Sequence, residues 1–190
     1  LIVPLFIPNQ GCPHRCVYCR QEDITGRKDR LLDASEVVEI LSKAVRSPRF
    51  DAASSPEIAF YGGTFTGLPE PMLCRLLKAA YGFVQNGTFT SIRVSTRPDT
   101  LDPEVLSFMR SHGVTLVELG VQSMDAEVLR SSRRGYTPQQ VEEAVERLRG
   151  HGFRVGAQLM PGLPGDSEER FLGTVRRVAA LRPAVVRLYP

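Results

Sequence analysis

The sequence contains no tryptophan and only three lysines, Lys28, Lys43 and Lys78. Its 24 Lys+Arg side chains are therefore nearly all arginine. They are interspersed with 21 Asp+Glu, for a formal net charge of +3. No clean basic stripe stands out, although arginine suits bidentate contact with phosphate or RNA. Long apolar runs are missing as well. The apolar start, Leu1-Ile2-Val3-Pro4-Leu5-Phe6-Ile7-Pro8, is far shorter than a bilayer span. It also lacks the basic flank and small-residue cleavage site of a signal peptide. These absences predict a protein with no membrane partner, located in the cytoplasm. Cysteine is scarce: four in 190 residues. Three crowd between Cys12 and Cys19, and Cys74 lies alone. This is not the even spread of a disulfide scaffold. It points to a reducing compartment and a metal site.

What is present is an alternation of short apolar strands with amphipathic helices. Strands are predicted at Ile2–Ile7, Glu57–Tyr61, Ser91–Thr96, Leu116–Gln122, Arg154–Met160 and Val185–Tyr189. Helices fall between them. Asp33-Ala34-Ser35-Glu36 has capping-box spacing. Asp102-Pro103 supplies an N-cap with proline at the first helical position, and Thr137-Pro138-Gln139-Gln140 combines both devices. Asp166 with Glu169 is read as the start of the last long helix. Gly113 and Gly150 stand where helix C-terminal caps are expected. Cys74, beside Leu73, Leu76 and Leu77, reads as a small buried core residue.

Six such repeats imply parallel strands with right-handed crossovers. A closed eight-fold barrel needs about 250 residues. The expected fold class is therefore α/β, a partial (βα)6 TIM-type barrel with parallel strands, filling residues 1–190 as a single core domain. The chain begins inside a strand without a methionine and stops on one, so a piece of a longer protein is expected.

The predicted strands alternate. Val117, Leu119 and Val121 share one face, with Glu118, Gly120 and Gln122 on the other. Arg93, Ser95 and Arg97 alternate with Ile92 and Val94. Gly156, Gln158 and Met160 alternate with Val155, Ala157 and Leu159. Strands covered on both faces are apolar on both, and these are not. The polar faces should line a lumen. Leaving such groups buried without partners costs about 2 kcal/mol or more each. A polar ligand is the favoured explanation, ahead of a network of polar groups satisfying one another with water.

The most specific motif is Gly11-Cys12-Pro13-His14-Arg15-Cys16-Val17-Tyr18-Cys19, a C-x3-C-x2-C run directly after the first strand. Thiolates are soft ligands suited to iron–sulfur clusters and zinc. Three cysteines on one loop can hold three corners of a cubane and leave the fourth iron open. Structural zinc wants four protein ligands, and only His14, awkwardly placed between two cysteines, is near enough to be the fourth. A loop built this way should depend on its metal for its fold, over Pro8 to Arg30.

This run, with aromatic Tyr18 before its last cysteine, resembles the signature of the radical S-adenosylmethionine (SAM) superfamily. The resemblance implies a [4Fe–4S] cluster on Cys12, Cys16 and Cys19, with SAM chelated to the open iron. It also implies reductive cleavage of SAM to a 5′-deoxyadenosyl radical, with the electron coming from a flavodoxin- or ferredoxin-type reductant. Further motifs resemble the branch containing the Elongator catalytic subunit and oxygen-independent coproporphyrinogen oxidase. Gly62-Gly63-Thr64 stands where the family commonly has Gly-Gly-Glu, whose backbone meets the methionine amino group. Ser95-Thr96-Arg97-Pro98-Asp99 matches a Glu-Thr-Arg-Pro-Asp stretch, with Ser95 replacing Glu. In Glu118-Leu119-Gly120-Val121-Gln122, the resemblance places Gln122 on the ribose hydroxyls. Arg134, in Arg133-Arg134-Gly135-Tyr136, would grip the methionine carboxylate, a task suited to a guanidinium fork. Gln158, in Gln158-Leu159-Met160-Pro161-Gly162-Leu163-Pro164-Gly165, would lie along the adenosine, as would Tyr189-Pro190. The branch makes a tRNA base or a small metabolite the expected substrate. The competing reading is a non-catalytic module whose metal only staples the first loop and which binds RNA or a protein partner. A simple electron carrier fits less well, since such carriers usually use four cysteines.

Overall fold

The computed structural model describes residues 1–19 and 32–189. Pro190 and the second half of the cysteine-loop region therefore lie outside the described residues. The strands are β1 (Ile2–Phe6), β2 (Glu57–Tyr61), β3 (Ser91–Thr96), β4 (Val114–Gln122), β5 (Arg154–Leu159) and β6 (Val185–Leu188). The helices are α1 (Ala34–Val45), α2 (Glu70–Gln85), α3 (Pro103–Ser111), α4 (Ala126–Ser131), α5 (Pro138–Gly150) and α6 (Glu168–Ala180). All five strand pairings are parallel, in the order β1-β2-β3-β4-β5-β6. No helix among the described residues is long and apolar enough to cross a membrane.

The sheet curls into a half-barrel. One side-chain contact demonstrates the curl. Arg187 on β6 donates to the Tyr61 hydroxyl on β2 at 2.6 Å. Neighbouring strands lie about 4.8 Å apart, so in a flat sheet these two, four strands apart, would be separated by about 19 Å. The outward faces make the core. Ile58, Phe60, Ile92, Val94, Val117, Leu119 and Val155 pack against Leu73, Leu77, Leu106, Met109, Val141, Val145 and Leu148 of the helices. Each such side chain contributes roughly 1.5–3 kcal/mol relative to exposure.

The caps form as the sequence indicates. Asp33 and Thr137 close full capping boxes, and Asp102 accepts from Glu104 N and Val105 N. Two punctuation marks fall elsewhere. Gly150 is the last helical residue of α5. The left-handed position is taken by Gly152, at φ 78°, just after the cap His151, as Gly113 at φ 78° follows the cap His112. Asp166 does not open α6. Ser167 caps it, accepting from Arg170 N, while Asp166 accepts from Gly162 N at 3.0 Å and so ties the preceding turn. Helix α4 was not foreseen, and Cys74 is half-buried rather than core.

Inside the curl, the lower lumen is filled by its own charges. Glu118 is 1% exposed. Its Oε1 accepts from Tyr61 Oη at 2.9 Å and from Arg93 Nη1 at 3.4 Å. Its Oε2 accepts from Gln158 Nε2 at 3.2 Å and lies 2.8 Å from Arg187 Nε. Arg93 also pairs with Glu57, and Gln158 donates to Ser95 Oγ at 3.1 Å. Most polar groups at this level thus have partners, but Arg93 Nε and Arg187 Nε are buried without a hydrogen bond. Burial, helped by the Glu118 carboxylate, pushes the Tyr61 phenol above its ordinary range, so it stays protonated and donating.

Candidate functional site

The strand ends and part of this network border one cavity of about 1060 Å³, whose lining includes Tyr61, Gln158 and Arg187, just above the 300–1,000 Å³ typical of small-molecule sites. Cys12, Cys16, Cys19 and Tyr18 line one side, and Gln122, Arg134, Gln158 and Met160 another. Gly62, Gly63, Thr64 and Ser95 also reach it. All the sequence-predicted site residues within the described range therefore share one cavity.

The cysteine loop is held from two directions. On one side it interlocks with the turn after β2. Thr64 N donates to Gln10 O at 2.8 Å. A Cβ on Gly63 would lie 2.3 Å from Gln10 O and 2.4 Å from Ile7 O, a distance no side chain tolerates. Gly63 is thus required by the approach of the cysteine loop itself, a tighter constraint than the ligand approach expected from the sequence. On the other side, Val17 N donates to Ser132 O at 3.3 Å. The His14 ring sits on Gly135, where a Cβ would come within 2.6 Å of it. His14 is seated there, against the 133–136 turn.

Each cysteine sulfur meets a different polar partner. Cys12 Sγ lies 3.2 Å from Thr64 Oγ1, Cys16 Sγ accepts from Arg134 Nη1 at 3.0 Å, and Cys19 Sγ is 3.8 Å from Asn9 Oδ1. Among the described residues no three His, Cys, Asp or Glu side chains already converge at metal-binding distance. The donor set nonetheless fits an iron–sulfur cluster. Three thiols stand on one loop at the rim of a cavity, and none is committed to a disulfide.

Arg134 is the electrostatic centre of the site. It is 5% exposed. Besides Cys16, it donates to Tyr18 Oη at 2.9 Å, Tyr136 Oη at 2.7 Å and Gly120 O at 2.7 Å. Burial opposes its charge, but Tyr136, Tyr18 and Cys16 around it more than offset this and hold its proton on. Two residues that sequence reasoning left without a role complete the mount. The ring of Tyr136 lies under both the Arg134 and Arg97 guanidinium groups, at 4.9 and 5.2 Å. Arg97 in turn grips Asp99 through two bonds of 2.9 and 2.8 Å and donates to the Arg134 carbonyl. Burial raises the Tyr136 phenol to about 12. It is therefore protonated at neutral pH and donates to Gly120 O and Val121 O. The Tyr18 phenol is likewise raised by burial.

Gln122 closes β4 at a register shift, where pairing jumps from Gly120↔Gln158 to Gln122↔Leu159. Its φ of 64° is left-handed, which costs a non-glycine residue of order 1–3 kcal/mol. Its Oε1 is buried and has no hydrogen-bond partner. A strained residue with an orphaned acceptor at the cavity wall fits a ligand that donates hydroxyl hydrogens there. Ser95 and Gln158 reach the cavity but bond to each other, and Gln158 also to Glu118.

The chain matches the model of the radical SAM superfamily over residues 6–178. It is 30% identical over 187 residues to human Elongator complex protein 3, covering 88% of this chain and 33% of that protein. It is 28% identical over 210 residues to the tRNA uridine(34) acetyltransferase of Dehalococcoides mccartyi, covering 94% of this chain and 46% of that one. The coproporphyrinogen III oxidase structure from Escherichia coli, described as a radical SAM enzyme, has the same fold. Its TM-score is 0.66 at 24% identity, over 100% of this chain and 44% of the other. The chain thus spans a third to under a half of these proteins. With the motif order, the half-barrel and the match over most of its length in agreement, the chain belongs to the radical SAM superfamily.

Proposed function

We propose that the chain is a radical SAM enzyme core that cleaves SAM reductively at a [4Fe–4S] cluster. The observation that carries this reading is the shared cavity: three thiols, the buried Arg134 and the strained Gln122 line one space. Cys12, Cys16 and Cys19 would hold the cluster. When bound and reduced by a flavodoxin- or ferredoxin-type partner, the cluster with SAM supplies a one-electron cleavage of the sulfonium C–S bond and a 5′-deoxyadenosyl radical for hydrogen abstraction.

The rest is work for this chain's own side chains. Arg134 binds the methionine carboxylate as a fixed cation, exchanging its contact with Tyr18 or Cys16 for the ligand. Gln122 Oε1 accepts from the ribose hydroxyls. Ser95 and Gln158 support the adenosine through the Glu118 network; Tyr189 lines the cavity, and Pro190 follows it in the sequence. Gly62, Gly63 and Thr64 hold the cysteine loop in place. Tyr18 covers Arg134 and helps exclude water, which strengthens every polar contact inside.

The likeness to Elongator-type and tRNA uridine acetyltransferase proteins favours a tRNA base as substrate, with a small metabolite second. The test is anaerobic reconstitution with iron and sulfide, then dithionite and SAM. 5′-Deoxyadenosine is the expected product. Its absence from correctly clustered protein would overturn the proposal, and stoichiometric zinc without iron after anaerobic purification would favour a metal-stapled binding module.

Arg134→Ala is expected to weaken SAM binding at least tenfold while iron content stays at the wild-type level. A hydrogen bond to a charged group contributes about 1.5–3 kcal/mol, and about 1.4 kcal/mol is tenfold. Unchanged affinity in a SAM titration would remove Arg134 from the site.

A further inference from the structure

Thr64 stands where the family commonly has glutamate, and its hydroxyl meets the cysteine loop. The side chain is 1% exposed. Its backbone N–H is taken by Gln10 O, and its carbonyl accepts from Gly67 N at 3.0 Å. Its hydroxyl, the one polar group of the side chain, lies 3.2 Å from Cys12 Sγ. The rotamer is fixed by its packing. The Thr64 methyl fills the space beside Gly67, where a Cβ would come within 3.2 Å of it, and the same Cβ would meet Gly11 O at 2.2 Å.

We propose that Thr64 acts on the cluster, donating a hydrogen bond to the Cys12 thiolate and raising the cluster's reduction potential. The inference rests on the cluster assignment made above. Between a thiol and a hydroxyl either group can donate. A metal-bound thiolate has no proton, so the direction becomes fixed, from Thr64 Oγ1–H to Cys12 Sγ. An added electron increases the negative charge on the cysteine sulfurs. The hydrogen bond therefore strengthens on reduction, more so in a buried site of low dielectric, and hydrogen bonds to sulfur are among the determinants of cluster potential. Cys16 Sγ accepts from Arg134, and Cys19 Sγ lies against Asn9 Oδ1, an acceptor that gives a thiolate no hydrogen bond. Thr64 is thus a neutral lever on one corner, and it can be removed without altering charge.

Redox titration of the reconstituted holoenzyme, followed by the paramagnetic signal of the reduced cluster, tests this. Iron and sulfide content is measured first; a wild-type protein that takes up no cluster refutes the functional proposal, and with it this one. With clusters loaded, Thr64→Val should lower the reduced-to-oxidised ratio at the wild-type midpoint about tenfold, equivalent to about 59 mV for one electron. Thr64→Ser should restore it. An unchanged midpoint in fully loaded Thr64→Val overturns the assignment while leaving the cluster proposal intact. Should Thr64→Val load poorly, Thr64→Ala is read in the same way. If neither loads while Thr64→Ser does, the hydroxyl serves cluster assembly and the tuning role is refuted.

Discussion

Cys16→Ala is expected to abolish cluster loading, leaving reconstituted protein with iron near background and no broad visible absorbance. Three protein thiolates hold the cluster in the proposed site, and losing one leaves two for a cubane that needs three. The effect should be all-or-none because ligand binding and loop order are linked: the loop's fold draws on the metal's binding free energy. Cys16 is the most consequential of the three. It is half-buried and its sulfur is the one that meets Arg134. Its loss also removes one of the acceptors around a buried guanidinium. The same substitution at half-buried Cys74 on α2 should leave loading unchanged. Iron and sulfide analysis with the visible spectrum decides both, and a Cys16→Ala protein that takes up four irons would refute the ligand assignment.

The fold was largely legible in the sequence because each local signal agreed with the next. Period-two alternation marked β3, β4 and β5, short apolar runs marked the other strands, and Asp33, Asp102 and Thr137 capped the helices they precede. Misses came where two signals lay side by side. Gly150 and Gly152 flank the same helix end, and only the backbone tells which residue takes the left-handed position. Asp166 and Ser167 are both good caps, and the tight 160–166 turn takes the aspartate. Helix α4 is six residues long, too short to show a helical period.

In the site, residue types were legible and pairings were not. The polar strand faces announced a lumen. They did not say that Glu118 would gather Tyr61, Arg93, Gln158 and Arg187, which lie 57, 25, 40 and 69 positions away in sequence. Arg97 was legible as a lumen-face residue, and Tyr136 only as a letter in a motif. Their function as the mount for Arg134 depends on a stack of two guanidinium groups on one ring, which no spacing rule encodes. The positive φ of Gln122 was equally hidden, since glutamine is an improbable choice for that backbone unless something at the site repays the strain.

That gathering makes Glu118→Ala the substitution with the largest expected effect on stability. The carboxylate is the shared partner of three strands' side chains, from β2, β5 and β6, and of Arg93 on β3. Removing it leaves Arg187 without its anion and Tyr61 without an acceptor, while Gln158 keeps Ser95. The Arg187 side chain is 31% exposed, so the cost lies at the low end of the roughly 3–5 kcal/mol for breaking a buried pair from one side, equivalent to a fall in Tm of about 6 °C for a domain of this size. Arg93 keeps Glu57, so the cost should come mainly from the β6 side. Glu118→Gln preserves the shape and one acceptor oxygen, and should cost less. Arg187→Met in the Glu118→Ala background should recover part of the loss, because it removes the stranded cation along with its missing partner. Urea denaturation of the wild type, Glu118→Ala, Arg187→Met and the double variant measures the coupling. Additive effects would mean that Arg187 and Glu118 act independently.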